Sequence, residues 1–174
     1  GGSLARTEAT GYGVHLTAKK SLKKLGREIK GATYAIQGFG NVGYYTAYYA
    51  HQDGAKVLAI SNSKTIIYNE NGIDMEAVIK EVESNGRIAN NGYGREISNS
   101  ELLELDVDVL APCALENQIT SENADKIMVY RCIPFTTHCT YSLDFLQSRK
   151  MGQNLEWIRE KTRFTIECKY CCRW

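Results

Sequence analysis

Apolar residues follow two different spacings along the first two thirds of the chain. Short runs of bulky apolar residues predict strands buried on both faces, as in a parallel sheet. These runs lie at 33–37, 56–61 and 107–111. Longer segments with apolar residues at helical spacing predict helices. These lie at 7–25, 44–51 and 74–84. The order of the segments predicts an α/β fold with a doubly wound parallel sheet and flanking helices, incomplete at the C-terminal end.

The turn after the first predicted strand is rich in glycine. It reads Gly38, Phe39, Gly40, Asn41, Val42 and Gly43. Strand, glycine turn, helix and strand in this order form the βαβ unit of a Rossmann-like sheet, which holds the pyrophosphate of NAD or FAD. Gly38 would permit the turn, Gly40 would let the backbone approach the phosphates, and Gly43 would let helix and strand pack closely. We therefore predict that these six residues bind a dinucleotide on the helix N-terminus, with an ordinary structural turn as the alternative.

The end of the second predicted strand lacks the acidic residue that normally bonds the ribose 2′-hydroxyl of NAD. Asn62 stands there, nineteen positions after Gly43. Asn forms hydrogen bonds but does not repel a 2′-phosphate. Lys64 is two residues further on and would either pair with that phosphate or remain a solvated loop charge. The cofactor prediction is therefore NAD or NADP, with Asn62 and Lys64 as candidate cofactor-binding residues.

Composition narrows the classes of partner. The chain has 174 residues, of which 43% are hydrophobic, and a formal net charge of +1. One core is expected, and the charge gives no reason to expect nucleic acid or an anionic membrane as a partner. The sequence contains no transmembrane run and no secretory signal pattern, so a cytoplasmic location is expected. The first residue is Gly1 rather than Met, which suggests a fragment or a processed protein.

Several separate motifs resemble one family. The opening segment Gly1–Val14 and the spacing from it to the glycine turn are similar to the cofactor domain of the glutamate dehydrogenase family, which also includes leucine, phenylalanine and valine dehydrogenases. Further similar stretches follow in the same order: 61–64, 67–69, 97–99, 101–105, 107–112, 114–117 and 119–120. The resemblance covers residues 1–127, which predicts an NAD(P)-binding Rossmann domain over that range.

The resemblance implies roles for four further residues. Arg6 matches the arginine near the substrate, where a guanidinium suits a carboxylate. Thr10 matches the threonine at the nicotinamide carboxamide, and Ala114 and Asn117 match positions beside the nicotinamide ribose. Read without the family, Thr10 would be an ordinary helix residue and Arg6 a surface charge. Cys113, in the same loop as Ala114, is expected to be a small buried apolar side chain.

The reaction that the resemblance implies is the oxidation of L-glutamate to 2-oxoglutarate and ammonia, with hydride transfer to NAD(P). The family's catalytic lysine and aspartate belong to an upstream substrate domain, and no residue of this chain corresponds to them. We therefore expect no catalytic residue and no turnover in the isolated chain. The parent enzyme is expected to be a homo-oligomer.

Residues 128–174 depart from the family pattern and are expected to form a divergent tail, with at most one strand and a helix. The tail contains five of the six cysteines and both tryptophans. The Cys and His spacing there is irregular, so we expect no metal site. A second hypothesis follows from the tail: a nucleotide-binding module, not an enzyme, that contacts a partner protein through Trp157 and Trp174. A truncated product without function is a third.

Overall fold

A computed structural model of the chain describes residues 6–88, 92–114, 118–120, 122–124 and 126–127, together with the backbone of 129–132. Within these residues the chain forms four helices and six strands. In chain order they are α1 (Arg6–Lys24), β1 (Thr33–Gln37), α2 (Asn41–Gln52), β2 (Lys56–Ser61), β3 (Ile66–Tyr68), α3 (Met75–Asn85), β4 (Arg95–Glu96), α4 (Asn99–Leu103), β5 (Val107–Pro112) and β6 (Val129–Cys132).

The six strands form one sheet in the order β4-β3-β2-β1-β5-β6. The central strand β1 pairs in parallel with β2 on one side and β5 on the other, and β6 continues the parallel part beyond β5. β3 and β4 add antiparallel strands beyond β2. The direction of winding therefore reverses between β1 and β5. This topology confirms the predicted α/β class with a doubly wound, mostly parallel sheet; the predicted incompleteness at the C-terminal end lies outside the described residues.

The helices and strands predicted between residues 7 and 111 are all present, with ends that shift by a few residues. The helix expected in the tail lies outside the described residues. The largest shift is at α2, which begins at Asn41 rather than at residue 44, because the last half of the glycine run is already helical. β3, β4 and α4 were not predicted. They have three, two and five residues, which is too short for a hydrophobic period to be recognised.

Both faces of the central strand are buried, against different helices. Tyr34 and Ile36 point to the face covered by α1, α2 and α3. Ala35, between them, points to the opposite face, where Leu102 and Leu103 of α4 cover the sheet. This alternation is that of a buried strand, in which successive side chains lie on opposite faces. It gives the described part of the chain three layers, with the sheet between two sets of helices.

The first two helices run alongside each other in the same direction. Near its start, α1 comes so close to α2 that a Cβ at Gly11 would lie 2.6 Å from both Tyr45 Cβ and the Val42 carbonyl oxygen. Near its end, Lys19 Nζ pairs at 2.7 Å with Asp53, which directly follows α2. The start of α1 therefore lies at the same edge of the sheet as the start of α2.

A buried histidine of α1 bonds the residue that follows α2. His15 is 1% exposed, and its Nε2 lies 2.8 Å from Asp53 Oδ2. Burial lowers the pKa of His15 and outweighs the opposing effect of Asp53. Hydrogen bonds from Lys19 and His15 lower the pKa of Asp53. The His15 side chain therefore favours its neutral form in the folded chain, with the Tyr34 and Tyr49 rings beside it.

Candidate functional site

The glycine turn lies at the carboxyl end of β1, on the central strand of the sheet. Gly38 has a φ of +89°, a conformation that glycine adopts at no steric cost. Its N–H donates a 2.8 Å hydrogen bond to Ser61 Oγ at the end of β2. The turn is therefore supported by the neighbouring strand as well as by its own backbone.

The start of α2 presents backbone N–H groups to open space. Gly40 is the residue before the helix, and no side chain caps the helix there. The Tyr44 N–H is the first to bond back to the Gly40 carbonyl, at 2.8 Å, so the N–H groups of Asn41, Val42 and Gly43 lie ahead of the intrahelical ladder. A Cβ at Gly40 would meet no atom of the described residues within 4 Å. An exposed helix N-terminus without a capping side chain is suited to an anion such as a pyrophosphate.

Close packing between helix and turn depends on Gly43. A Cβ at this position would overlap the Gly38 carbonyl oxygen and would lie 3.3 Å from Ile36 Cγ2. Gly43 is buried, whereas Gly40 is exposed. The two glycines therefore differ in the structure: Gly43 permits close packing, and Gly40 has open space among the described residues around it.

Aromatic rings flank the turn on the α2 side. The ring of Phe39 packs edge-on against Tyr44, with 5.8 Å between centroids. Tyr44 also contacts Tyr45 and Tyr48 on the same helix. These half-buried rings pack against one another along α2, next to the glycine turn.

The loop after β5 meets the glycine turn where the winding of the sheet reverses. The Cys113 N–H donates to the Gln37 carbonyl at 2.6 Å, and a Cβ at Gly38 would lie 2.8 Å from the Ala114 nitrogen. Ala114 is exposed beside this contact. In doubly wound sheets, ligands bind in this crevice, outside the carboxyl ends of the strands.

The Cys113 side chain packs against the core and does not act as an exposed thiol. Burial raises its pKa to about 12, despite a hydrogen bond with Thr46. The thiol is therefore protonated at neutral pH, in keeping with the apolar role expected for it.

The side chain of Asn62 organises its own loop. Its Oδ1 accepts from the N–H groups of Lys64 and Thr65, both at 2.8 Å, and its Nδ2 donates to the Ile88 carbonyl at 3.1 Å. This leaves one amide hydrogen of Asn62 for any other partner. Lys64 is exposed on the loop, at the carboxyl end of β2, where its ammonium group is accessible.

Of the residues assigned by family resemblance, Arg6, Thr10 and Ala114 lie within the described part of the chain, toward the edge that carries the glycine turn. Arg6 is the first, exposed residue of α1, and Thr10 precedes the Gly11 contact with α2. The direction of α1 thus brings Arg6 and Thr10 to the end of the molecule that carries the glycine turn. Asn117 lies outside the described residues. Their roles stay predictions.

Two kinds of arrangement are absent from the part of the chain that the structure describes. No group of three His, Cys, Asp or Glu side chains there is arranged to hold a metal ion. No described helix combines the length and the apolar character needed to cross a bilayer.

The amino-acid sequence of the chain matches one family of known proteins. The model of the Glutamate/Leucine/Phenylalanine/Valine dehydrogenase family matches residues 1–134. The chain belongs to this dehydrogenase family. The expected resemblance to glutamate dehydrogenases is therefore confirmed.

The chain covers only part of the length of individual members of the dehydrogenase family. It is 45% identical over 127 residues to the cryptic catabolic NAD-specific glutamate dehydrogenase GudB of Bacillus subtilis, covering 73% of this chain and 30% of that protein. It is 46% identical over 136 residues to an NADP-specific glutamate dehydrogenase of Synechocystis, covering 73% of this chain and 32% of that protein. The chain thus spans about a third of the length of these relatives.

A solved dehydrogenase shares the fold. The crystal structure of glutamate dehydrogenase from Peptoniphilus asaccharolyticus superposes with a TM-score of 0.63 at 32% identity, covering 86% of this chain and 34% of that one. The sheet and its flanking helices therefore have the arrangement found in this dehydrogenase.

The sequence did not predict a role for two residues beside the glycine turn of this chain. Ser61 supports Gly38, and the amide of Gln37 donates to Asn99 and Gln118. The sequence does contain one indication of these roles. β1 and β2 each end in a polar residue, Gln37 and Ser61, where a buried strand usually has an apolar one.

Proposed function

We propose that the chain is the cofactor-binding part of a glutamate dehydrogenase, with NAD or NADP bound across the carboxyl edge of the sheet. The observation that carries this proposal is the open space at Gly40 in front of the uncapped N-terminus of α2. The residues present fit the group: Gly40 admits the pyrophosphate, and the N–H groups of Asn41, Val42 and Gly43 face its charge. Family membership supports the same assignment.

The nicotinamide end belongs, in this proposal, to the crevice between the glycine turn and the loop after β5. Ala114 and Asn117 line the ribose, and Thr10 contacts the carboxamide. Ala114 lies against Gly38, and α1 brings Thr10 to the same edge. In the same proposal Arg6, exposed at the start of α1, binds the carboxylate of the substrate.

The activity that we propose for the whole protein is oxidative deamination. L-Glutamate, NAD(P)⁺ and water give 2-oxoglutarate, ammonium and NAD(P)H plus a proton. The cofactor supplies the hydride acceptor; this chain binds and orients it. We propose that the residues for water activation and proton transfer belong to the part of the relatives that lies outside this chain, so the isolated chain binds the cofactor without turnover.

The choice between NAD and NADP rests on Asn62 and Lys64 in this proposal. One similar relative is named as NAD-specific and another as NADP-specific, at nearly equal identity. Asn62 carries no charge that would repel a 2′-phosphate, and Lys64 is exposed beside it. We propose that Lys64 favours NADPH, and that Lys64→Ala narrows the difference in affinity between NADPH and NADH.

The test is a fluorescence titration of the full 174-residue chain with NADH and with NADPH, repeated with Gly40→Val and Gly13→Val. Both glycines have open space around them, so both variants are compatible with the fold. Loss of binding in Gly40→Val alone is expected. An unaltered chain that binds neither nucleotide, or a Gly40→Val chain that binds normally, would contradict the proposal.

A separate activity assay tests the expected absence of turnover in the isolated chain. Purified chain, glutamate and NAD(P)⁺ are expected to give no NAD(P)H above the background rate, because positioning and proton transfer supply most of the acceleration in such chemistry. A glutamate-dependent rate in that assay would show that the catalytic groups are present after all.

A further inference from the structure

Asparagine stands directly before glycine three times in the chain, at 71–72, 85–86 and 91–92. In such a pair the backbone nitrogen of the glycine reaches the side-chain amide carbon of the asparagine with little hindrance, because glycine has no Cβ. Asparagine is accordingly among the thermolabile residues. The reaction needs an accessible side chain and a backbone that is free to open, so the local structure decides which pair reacts. Asn91 lies outside the described residues, which leaves the first two pairs to compare.

The first pair, Asn71 and Gly72, lies in the turn between β3 and α3. Asn71 is exposed, and Gly72 has a φ of +98°. The Gly72 N–H donates to the Asn69 carbonyl at 3.1 Å, and the Asn71 N–H donates to Asn69 Oδ1 at 3.0 Å. Both bonds are local to the turn, so they open without the loss of a helix or a strand. The Gly72 nitrogen and the Asn71 amide are therefore both available for reaction.

The second pair, Asn85 and Gly86, has the same chemistry in a different backbone. Asn85 is also exposed, but it is the last residue of α3, and Gly86 caps the end of the helix with a φ of +70°. The Gly86 N–H donates to the Val82 carbonyl at 2.8 Å, in continuation of the helical ladder. Attack by this nitrogen requires the last turn of α3 to open first. The second pair is therefore the protected one.

We propose that Asn71 is a site of spontaneous deamidation in the folded chain. The Gly72 nitrogen loses its proton and bonds to the side-chain carbonyl carbon of Asn71. The bond from this carbon to the amide nitrogen breaks, which releases ammonia and leaves a five-membered succinimide. Water then opens the ring. Hydrolysis at the side-chain carbonyl gives aspartate, and hydrolysis at the main-chain carbonyl gives isoaspartate, in which the chain runs through the former side chain.

Both products change the turn. Each adds a negative charge to a segment that already contains Glu70 and Asp74. Isoaspartate also lengthens the main chain by one carbon shortly before Ile73, whose N–H donates to the Val57 carbonyl of β2 at 2.8 Å. This bond connects the turn to the sheet, so the isoaspartate form is expected to unfold at a lower temperature.

The turn lies at the edge of the sheet opposite the glycine turn. A Cβ at Gly72 would lie 4.0 Å from Lys56 Cβ, and Lys56 is the first residue of β2. The glycine turn follows the last residue of β1, which runs parallel to β2. Deamidation of Asn71 therefore occurs away from the proposed cofactor site, and its test does not depend on nucleotide binding.

The test compares the two pairs in one sample of the full 174-residue chain, kept in mildly alkaline buffer below its melting temperature. Trypsin separates the three asparagine–glycine pairs into the peptides 65–80, 81–87 and 88–95. Mass spectrometry follows the gain of about one dalton that accompanies conversion of an amide to an acid. In the folded chain, Asn71 is expected to react at least about threefold faster than Asn85. In concentrated guanidinium chloride the two rates are expected to agree within about twofold, because neither the turn nor the helix remains.

The matched variant is Asn71→Gln, which keeps an amide but must form a six-membered ring and therefore reacts more slowly. Its peptide 65–80 is expected to keep its mass, and its melting temperature is expected to fall less during the same incubation than that of the unaltered chain. Equal rates at Asn71 and Asn85 in the folded chain, or an unchanged peptide 65–80, would overturn the proposal. An equal fall in melting temperature for both chains would overturn the effect on the turn.

Discussion

Ser61 Oγ accepts the backbone N–H of Gly38 at 2.8 Å, so the second strand of the sheet supports the turn that leaves the first. Ser61 is 4% exposed, and water has little access to replace the bond. The conformation of the glycine turn therefore depends on a hydroxyl that lies twenty-three positions further along the chain.

Removal of this hydroxyl is expected to weaken the turn. In Ser61→Ala the Gly38 N–H loses its partner, at a cost of about 1–3 kcal/mol in the free energy of unfolding. NADH affinity should fall as well, because Gly38 begins the turn that positions α2. Chemical unfolding and NADH titration measure the two effects. Ser63→Ala, on the exposed loop beside it, is the matched control, and Ser61→Thr, which retains the hydroxyl, should recover part of the loss. Equal behaviour of Ser61→Ala and Ser63→Ala would refute the role of the bond.

Alanine substitutions at Gly43 and at Gly40 are expected to affect different properties, the first the stability of the fold and the second the binding of NADH. Gly43→Ala places a methyl group on the Gly38 carbonyl and should destabilise the fold by about 3 kcal/mol or more, because backbone on both sides must move. Gly40→Ala has free space and an ordinary φ of −80°, so its melting temperature should stay close to that of the unaltered chain while NADH affinity drops. Thermal unfolding followed by circular dichroism, with NADH titration, tests both. A stable Gly43→Ala chain would show that the backbone contact is not needed.

A second pair of glycines, both in α1, should respond in opposite directions to the same substitution. Gly11→Ala puts a Cβ into the contact with α2 and is expected to destabilise the chain by about 1–3 kcal/mol. A Cβ at Gly13 would meet no atom of the described residues within 4 Å, so Gly13→Ala should stabilise the chain by about 0.5–1 kcal/mol through helix propensity. Urea unfolding gives both values. Changes of the same sign would mean that the helices are not in close contact at Gly11.

Acid should destabilise the α1–α2 pair through His15. The pKa of His15 is lowered by burial, so the unfolded chain takes up a proton near the ordinary value of 6.5 before the folded chain does. Protonation then favours the unfolded state, and stability is lost as the pH falls below 6.5. Asp53, whose pKa is also lowered, adds a loss in the same direction at lower pH, below its ordinary value of 3.8.

Two variants test this pH dependence. Urea unfolding at about pH 7.5 and about pH 5.5 should show a smaller difference in the free energy of unfolding for His15→Gln than for the unaltered chain. His51→Gln, in the last turn of α2, serves as the control and should keep the full difference. An undiminished difference in His15→Gln would assign the acid sensitivity to other groups.

Much of the fold could be predicted from the sequence because its signals are local. The strand before Gly38, the glycine turn and the helix after it are contiguous, and their periods and turn residues agree. The antiparallel strands β3 and β4 escaped prediction because a strand of two or three residues has no period to detect. Their pairing is set by contact with β2 and not by their own pattern.

The candidate site was predicted in part, for the same reason. The glycines have a spacing that indicates their role, whereas Ser61 and Gln37 act on residues 23 to 81 positions away. Gly11 has a role only because α2 packs against it. Asn62 shows the converse: sequence position assigned it to a ribose, while in the fold most of its hydrogen-bonding capacity serves its own loop. The contacts of side chains that connect distant segments cannot be predicted from a local pattern in a single sequence.

The outer strand β4 has a consequence for the behaviour of the chain in concentrated solution. It is two residues long, and both Arg95 and Glu96 are exposed and charged. Long, flat apolar edges recruit other chains by backbone pairing, and short charged ones oppose it. A neighbouring molecule therefore finds almost no template at this edge, and we expect aggregation by strand addition to be disfavoured there.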